Sequence, residues 1–493
     1  MKINKIFTIS TIAIILLATI IIYSLATGSA IWWGKSKLVE KISAGQSIKA
    51  PIVFSSNENL GEVSLSVSED LSRFITDFEP KTLKVTKNKP FEFKAIINIP
   101  ADTEPGTYGG TIHLKKGKKT IAKPLAVNLI VLPSEPSEPP APPLMPSWEE
   151  PVNISNTSLF SYKPKVIADK LGRVYAFWID NTRDFSKDYG IHFAKLEGSA
   201  WSPAQNIVFL GTSKIYDFDV TVDNRNYLHL AYVTDIAGVG YVFFYTFFDG
   251  LSWSSPIQLT RGLYVSLEAG PDNKIHIAYT YAFDVHYAVF DSGSLSSPIN
   301  ITNDGLSNDD NTYGAKAIKI DRRGNIHISW SKHNYGIMYS KYNGSSWSEP
   351  QLLSHLSGGY VSYYLSIGAD DFVAVAYTFG PNDCRNQEIH LALSEDGGVG
   401  WYSPVIVSKV DGIGSRWPSL AVVALDNIQI IWEECGMSVP FRFFNGANWS
   451  EIIDLGGGNL KSQMPNIFAL LDKSYAVWGS GEADGEIYFS QTK

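Results

Sequence analysis

The stretch AKAIKIDRRGNIHISWSKHNYGIMYSKYNGSSWSEPQLLS (315–354) is one full period of a repeat that fills the last two-thirds of the chain. It holds four short runs, AKAIKI, NIHISWSK, GIMYSKY and the tail after SSWSEP, separated by turn residues. Apolar and polar residues alternate along the runs, the pattern of half-buried strands rather than helices. The closing phrase returns as SAWSPAQNI (199–207), LSWSSPIQL (251–259) and VGWYSPVIV (399–407). Its anchors are Trp148, Trp201, Trp253, Leu295, Trp347, Trp401 and Trp449, spaced by 53, 52, 42, 52, 54 and 48 residues. Periods of that size mean a propeller or a solenoid.

Within each period the second runs end on a ring: VYAFW, YLHLAY, KIHIAY, NIHISW, FVAVAY, IQIIW and SYAVW. An Asp-containing turn precedes them at Asp169, Asp223, Asp272, Asp321, Asp370 or Asp371, Asp426 and Asp472, where a carboxylate can cap turn amides. There are seven sets of three inner strands, and the first Trp-type strand, PSWEEPVNIS (146–155), precedes them all. A circularly shifted, seven-bladed β-propeller over 147–493 is therefore expected, closed by strand 146–155 pairing with EIYFSQ near the carboxyl end.

Upstream the pattern changes. EVSLSV (62–67), TLKVT (82–86), FEFKAIINI (91–99), GTIHLKK (110–116) and LAVNLIVL (125–132) suggest a two-sheet sandwich over 35–132. The segment 100–114 resembles the late hairpin of immunoglobulin-like modules in archaeal and bacterial surface proteins. A proline-rich stretch, 133–146, follows and favours an extended spacer. Residues 6–26 are uncharged and long enough to cross a bilayer, with Lys2 and Lys5 before them. Residues 1–34 are thus expected to be a cytoplasmic tail and transmembrane helix, which makes the protein single-pass with most of its chain extracellular. The alternative is a cleaved signal peptide and a secreted product, since Gly28-Ser29-Ala30 is small enough for cleavage.

A net charge of −8 and the lack of a long basic run argue against nucleic acid. The two cysteines, Cys384 and Cys435, fall in the same connection of neighbouring repeats and either pair or remain two thiols. Sequons at Asn153, Asn156, Asn300, Asn343 and Asn448 lie in or beside the Trp phrase; if glycosylated, they mark an exposed rim.

SEDGGVGW (394–401) matches the Asp-box of sialidase-like propellers, the bacterial neuraminidase repeat, with Ser394, Asp396, Gly398 and Trp401 in the places of S-x-D-x-G-x-x-W. FFDGLSW (247–253), KYNGSSW (341–347) and FFNGANW (443–449) are degenerate copies. The resemblance implies a propeller whose box is a structural turn, found in hydrolases, lyases, lectins and receptors alike. A sialidase clamps its substrate carboxylate with three arginines. The Arg-Ile-Pro signature is absent here, Arg416-Trp417-Pro418 only echoes it, and seven repeats stand in place of six, so no catalytic residue is carried over.

Strand alternation puts the second-to-third and fourth-to-first connections on one face, with the longer loops. Ligand-binding candidates on that face are Asp180, Arg183, Asp184, Arg261, Arg385, Arg416, Glu433 and Glu434. Glu433 and Glu434, adjacent at a strand end, point to opposite sides and do not share one bond. Asp304, Asn308, Asp309 and Asp310 offer oxygens suited to calcium but not the spacing of an EF-hand, and a solvated loop is the plainer reading. His229, His276 and His327 sit at equivalent places in different repeats, too far apart for one metal, and no cofactor is expected. The functional expectation is recognition of glycans or cell-surface proteins. A glycoside hydrolase or lyase on the same face is the competing class, and a structural surface-layer component without a small-ligand site is the third.

Overall fold

The computed structural model describes residues 31–87, 89–132, 146–182, 187, 189–302, 316–332, 335–355, 365–369, 372–381, 384–435, 437–456, 462–480 and 485–493. The chain divides into two compact units, 1–134 and 135–493. Both are all-β; a 3-10 turn at Glu69–Leu71 is the one helical element among the described residues. The expected membrane anchor is corrected on this point. Among the described residues no helix is long and apolar enough to cross a membrane, because the chain satisfies its backbone in short strands. Residues 6–26 lie outside the described residues, as does most of the proline-rich stretch.

In the first unit Ile31–Trp33, Ser47–Ser56, Pro90–Asn98 and Ile75–Glu79 form one sheet. A second sheet runs Lys37–Ser43, Leu125–Leu132, Gly106–Lys116, Gly61–Val67 and Leu83–Val85, with Lys119–Thr120 on its hairpin. Leu125–Leu132 pairs parallel to Lys37–Ser43 and antiparallel to Gly106–Lys116. Along Leu125–Leu132 every second residue (Leu125, Val127, Leu129, Val131) is buried. That period of two puts one face in the core shared with Phe54, Phe93 and Ile97 of the other sheet and with Phe74 of the turn before Ile75–Glu79.

Among the described residues the second unit contains seven antiparallel sheets of four or five strands. Their first strands are Phe160–Ala168, Ile215–Val222, Leu263–Ala269, Lys316–Ile320, Leu365–Ala369, Ser415–Ala424 and Ser462–Ala469. Each first strand contacts the next, and the seventh contacts the first, so the sheets follow one another in a closed cycle. This arrangement is consistent with a propeller. The seventh sheet takes its outer strand from the start of the unit: Val152 and Asn153 pair with Phe489 and Tyr488.

The Trp phrase explains how neighbouring sheets hold together. Trp201 meets Phe489 edge-on at 4.8 Å, Trp253 meets Phe193 at 5.5 Å, Trp347 meets Tyr287 at 5.2 Å, Trp401 meets Tyr339 at 4.8 Å and Trp148 meets Phe441 at 5.1 Å. In every case the partner belongs to the third strand of the preceding sheet. Each contact is worth about 0.5–1.5 kcal/mol beyond its buried area.

The Asp turns and strand histidines form a second repeated device. Asp169, Asp223 and Asp321 each accept two turn amides at 2.8–3.0 Å through Oδ1. His229, His276 and His327 share hydrogen bonds of 2.5–2.6 Å with the hydroxyls of Tyr245, Tyr287 and Tyr339. His327 Nε2 lies 3.2 Å from Asp321 Oδ2, and His229 Nε2 lies 3.4 Å from Asp223 Oδ2. These imidazoles are packing elements linking turn to third strand, and burial pushes His229 and His327 down to about 4.

Candidate functional site

The first strands of the first, second, third, sixth and seventh sheets carry a bulge near their starts, between Tyr162 and Lys165, Ile215 and Asp217, Leu263 and Ser266, Arg416 and Ser419, and Gln463 and Asn466. At the bulges Lys163, Tyr264, Trp417 and Met464 adopt φ of 51°, 52°, 54° and 49°. Non-glycine residues of that size are costly there, and such strain is held only where surrounding structure fixes it. Three of them precede a proline: Tyr162-Lys163-Pro164, Arg416-Trp417-Pro418 and Gln463-Met464-Pro465. That thrice-repeated x-x-Pro was the sequence signal for the bulge.

Because the first strands touch in a cycle, their bulges form a rim on the face with the second-to-third connections. Lys163 Nζ donates to the Tyr216 carbonyl at 2.6 Å, across the first and second sheets. Tyr216 meets Tyr241 edge-on at 4.8 Å, and Phe160 lies 6.1 Å from Tyr162. Tyr162, Tyr216, Tyr264 and Trp417 are half-buried, and Tyr241 is exposed. Deeper along the first strands, Lys165 pairs with Asp219 at 3.1 Å and Lys319 with Glu268 at 2.7 Å.

Several carboxylates on this face are structural. At the start of the third strand in the third, fifth and seventh sheets, Asp284, Glu388 and Glu486 accept hydroxyl hydrogens from Thr302, Ser408 and Ser155. The same hydroxyls accept the amides of Val285, Ile389 and Ile487 at 2.8–3.1 Å. Each clamp fastens the outer strand of a sheet to its third strand.

Asp180 is buried in the first sheet, where Ser161 Oγ donates to it at 2.6 Å and His192 Nδ1 lies 3.1 Å away. Burial raises Asp180, against the pull of His192, and burial lowers His192. Arg261 is exposed at the end of Ile257–Arg261 in the second sheet, and Arg385 is exposed in the fifth. Arg416 reaches Glu433 Oε1 through Nε at 2.8 Å and Nη2 at 2.7 Å; Glu433, fully buried, also accepts the Met464 amide at 3.3 Å. Glu433 thus meets the seventh sheet. Arg183, Asp184, Asp304, Asp309 and Asp310 lie outside the described residues.

Glu434 lies on the opposite side of its strand and meets groups of the fifth sheet. It is pushed up to about 7, chiefly by burial, then by repulsion from Asp411; the Trp432 indole and Lys409 oppose this, while Glu388 adds to it. Glu388 is itself raised by burial, despite its bond from Ser408, with Asp411 adding to the shift. Cys384 and Cys435 are joined, their Cα atoms 5.6 Å apart, and stitch the fifth and sixth sheets beside this cluster. A partly protonated carboxylic acid beside a carboxylate can donate and accept protons near neutrality. Among the described residues, no group of three or more His, Cys, Asp or Glu is placed to hold a metal ion.

The box residues form a closed turn. Asp396 Oδ1 accepts the amides of Val399 at 3.0 Å and Gly400 at 2.7 Å and the Ser394 hydroxyl at 2.9 Å, while Ser394 Oγ accepts the Gly398 amide at 2.8 Å. A Cβ on Gly398 would lie 1.9 Å from the Tyr339 hydroxyl, so the turn needs glycine there. Of the sequon asparagines, Asn153, Asn156 and Asn343 are exposed, whereas Asn300 donates its Nδ2 to Asp284 at 2.7 Å.

No family model matches the sequence, and no curated protein matches it. Among solved structures, a protein of unknown function from Dyadobacter fermentans is similar at 12% identity and a TM-score of 0.43, over 70% of this chain and 99% of that one. The Trypanosoma rangeli sialidase in complex with sialic acid is similar at 10% identity and a TM-score of 0.41, over 70% of this chain and 59% of that one. The NanB sialidase from Streptococcus pneumoniae is similar at 10% identity and a TM-score of 0.40, over 94% of this chain and 91% of that one.

Proposed function

We propose that the seven-sheet unit is a seven-bladed, sialidase-like propeller with one complete Asp-box, that the first unit is an immunoglobulin-like sandwich, and that the protein recognises glycans through its loop-rich face. The observation that carries the functional reading is the rim of rings, Tyr162, Tyr216, Tyr241, Tyr264 and Trp417, on or beside the first-strand bulges. Aromatic faces cover the apolar side of a sugar ring, and polar neighbours bond its hydroxyls. The rim is held by strained backbone and not by mobile side chains alone, which lowers the ordering cost of binding. A three-arginine carboxylate clamp does not fit the described residues: Arg416 is committed to Glu433, and Arg261 and Arg385 stand exposed on other sheets.

One observation favours an enzyme, either a glycoside hydrolase or a lyase. Glu434, raised to about 7, is suited to give a proton to a departing glycosidic oxygen. A glycan panel probed for binding and, by mass spectrometry, for cleavage separates the two. Binding without cleavage supports recognition, and cleavage abolished by Glu434→Gln supports the enzyme. Neither result would leave a protein partner or a structural role.

A further inference from the structure

We infer that a cleft between the sixth and seventh sheets binds one neutral sugar ring. It lies on the face of the first-to-second turns, away from the rim, and stands or falls independently of the reading above. Two breaks in the repeat lead to it. In the second, third and fourth sheets a histidine of the second strand bonds a tyrosine of the third: His229 with Tyr245, His276 with Tyr287 and His327 with Tyr339. In the sixth sheet Gln429 and Phe441 hold those places, since Gln429 pairs with Phe443 and Ile431 with Phe441 as His327 pairs with Lys341 and Ser329 with Tyr339. Phe441 has no hydroxyl to offer. Gln429 is 4% exposed; its Nε2 donates to Asn427 Oδ1 at 2.9 Å, and its Oε1 has no hydrogen-bond partner.

The second break is in the turn of the seventh sheet. Asp169, Asp223 and Asp321 cap the turns of their own sheets. In the turn 470–473 the Leu470 amide instead donates to the Lys473 carbonyl at 2.7 Å, and Asp472 is exposed and accepts no hydrogen bond among the described residues. Both breaks open on one cavity of 240 Å³, whose lining includes Gln429, Asn427, Phe443, Leu470, Leu471 and Asp472. Residues opposite each other in an antiparallel pair share a face, so the Phe443 ring and the Gln429 amide border the same space.

The walls are tied together by the segments that complete the seventh sheet. Lys473 Nζ donates to the Thr492 carbonyl at 2.6 Å, and the Lys493 amide donates to the Ser147 carbonyl at 2.8 Å; all four residues border the cavity. A buried acceptor without a partner is costly until a donor reaches it. The cavity thus offers Gln429 Oε1, a carboxylate at its mouth and an apolar wall of Phe443 and two leucines. A sugar ring matches this with hydroxyl donors on its edge and C–H groups on its face. Drug-sized sites run to about 300–1,000 Å³, so this smaller space suits a single ring. A carboxylated sugar would set its charge against that of Asp472.

The test is a saturation-transfer NMR titration of the full chain carrying Trp417→Ala, so that the rim contributes little. The probes are the methyl glycosides of glucose, galactose and mannose, with glucuronic acid beside them. The inference expects at least one neutral glycoside to bind, and glucuronic acid to bind at least tenfold more weakly. Gln429→Met keeps the shape of the side chain and removes the acceptor; it should weaken binding about fivefold while melting no lower than its parent. Asp472→Asn, at an exposed position, should bring glucuronic acid level with the neutral sugars, and it carries the test if Gln429→Met folds poorly. Binding of no neutral glycoside overturns the inference, and so does binding that both variants leave unchanged. Either result leaves the rim to its own measurement.

Discussion

Trp148 rests edge-on against Phe441, ring centres 5.1 Å apart, although the two belong to opposite ends of the second unit. Two further contacts fix the same junction: Val152 pairs with Phe489, and Ser155 donates to Glu486. The earliest strand of the unit thus completes its last sheet. Removing a buried donor whose acceptor stays behind costs about 1–3 kcal/mol. Ser155→Ala is therefore expected to lower unfolding free energy by roughly that amount, read by urea denaturation, and Trp148→Ala by about 3–5 kcal/mol. Wild-type stability in either variant would mean that this junction does not close the ring.

Arg416 neutralises a carboxylate that has no access to water. Arg416→Ala leaves Glu433 buried and unpaired and should cost on the order of 3 kcal/mol. Replacing both residues by apolar ones of similar size should restore most of that loss. A double variant no more stable than the single one would contradict the pairing.

The buried imidazoles set the acid side of the stability profile. His229 and His327 sit near 4 in the folded state against 6.5 for a free imidazole, so the unfolded chain binds more protons between those values. The contribution of these two imidazoles should be level above about pH 6.5 and fall as pH drops towards 4, while Glu434, raised on folding, contributes the opposite slope between about 4.5 and 7. His327→Gln should flatten part of that slope. An imidazole of His327 titrating near 6.5 by NMR would contradict it.

Loss of the disulfide is a fourth lever on stability. Cys384 and Cys435 are 51 residues apart in sequence. Closing a loop of that size is worth about 4 kcal/mol by chain entropy. The Cys384→Ser and Cys435→Ser pair should unfold at correspondingly lower urea. An unchanged midpoint would show that neighbouring packing alone holds the two connections.

The four strands of 315–354 are legible because alternation and turn residues act locally, and the Trp spacing carries that reading around the ring. The split of Glu433 from Glu434 is likewise legible, since the pleat sends adjacent side chains to opposite faces. Partners are a different matter. Nothing in the sequence says that Glu433 meets Arg416 and the Met464 amide, or that Glu388 and Glu486 belong to strand clamps, because those contacts depend on which sheets become neighbours. The burial of Asp180 against Ser161 and His192 is not legible in the sequence either, since it depends on how the first sheet packs. The rim rings were hidden for a related reason: a bulge with positive φ is a product of tertiary packing, and only the repeated x-x-Pro hinted at it.

Rings on or beside the first-strand bulges are proposed to hold a sugar. The most direct measurement is the affinity of the full chain for its best glycan in wild type, in Trp417→Ala and Tyr216→Ala, and in Leu251→Ala, an exposed residue on the third-to-fourth turn of the second sheet. The account predicts at least a tenfold loss for each rim variant, about 1.4 kcal/mol or more, and none for Leu251→Ala. Equal affinity in all four proteins would contradict it.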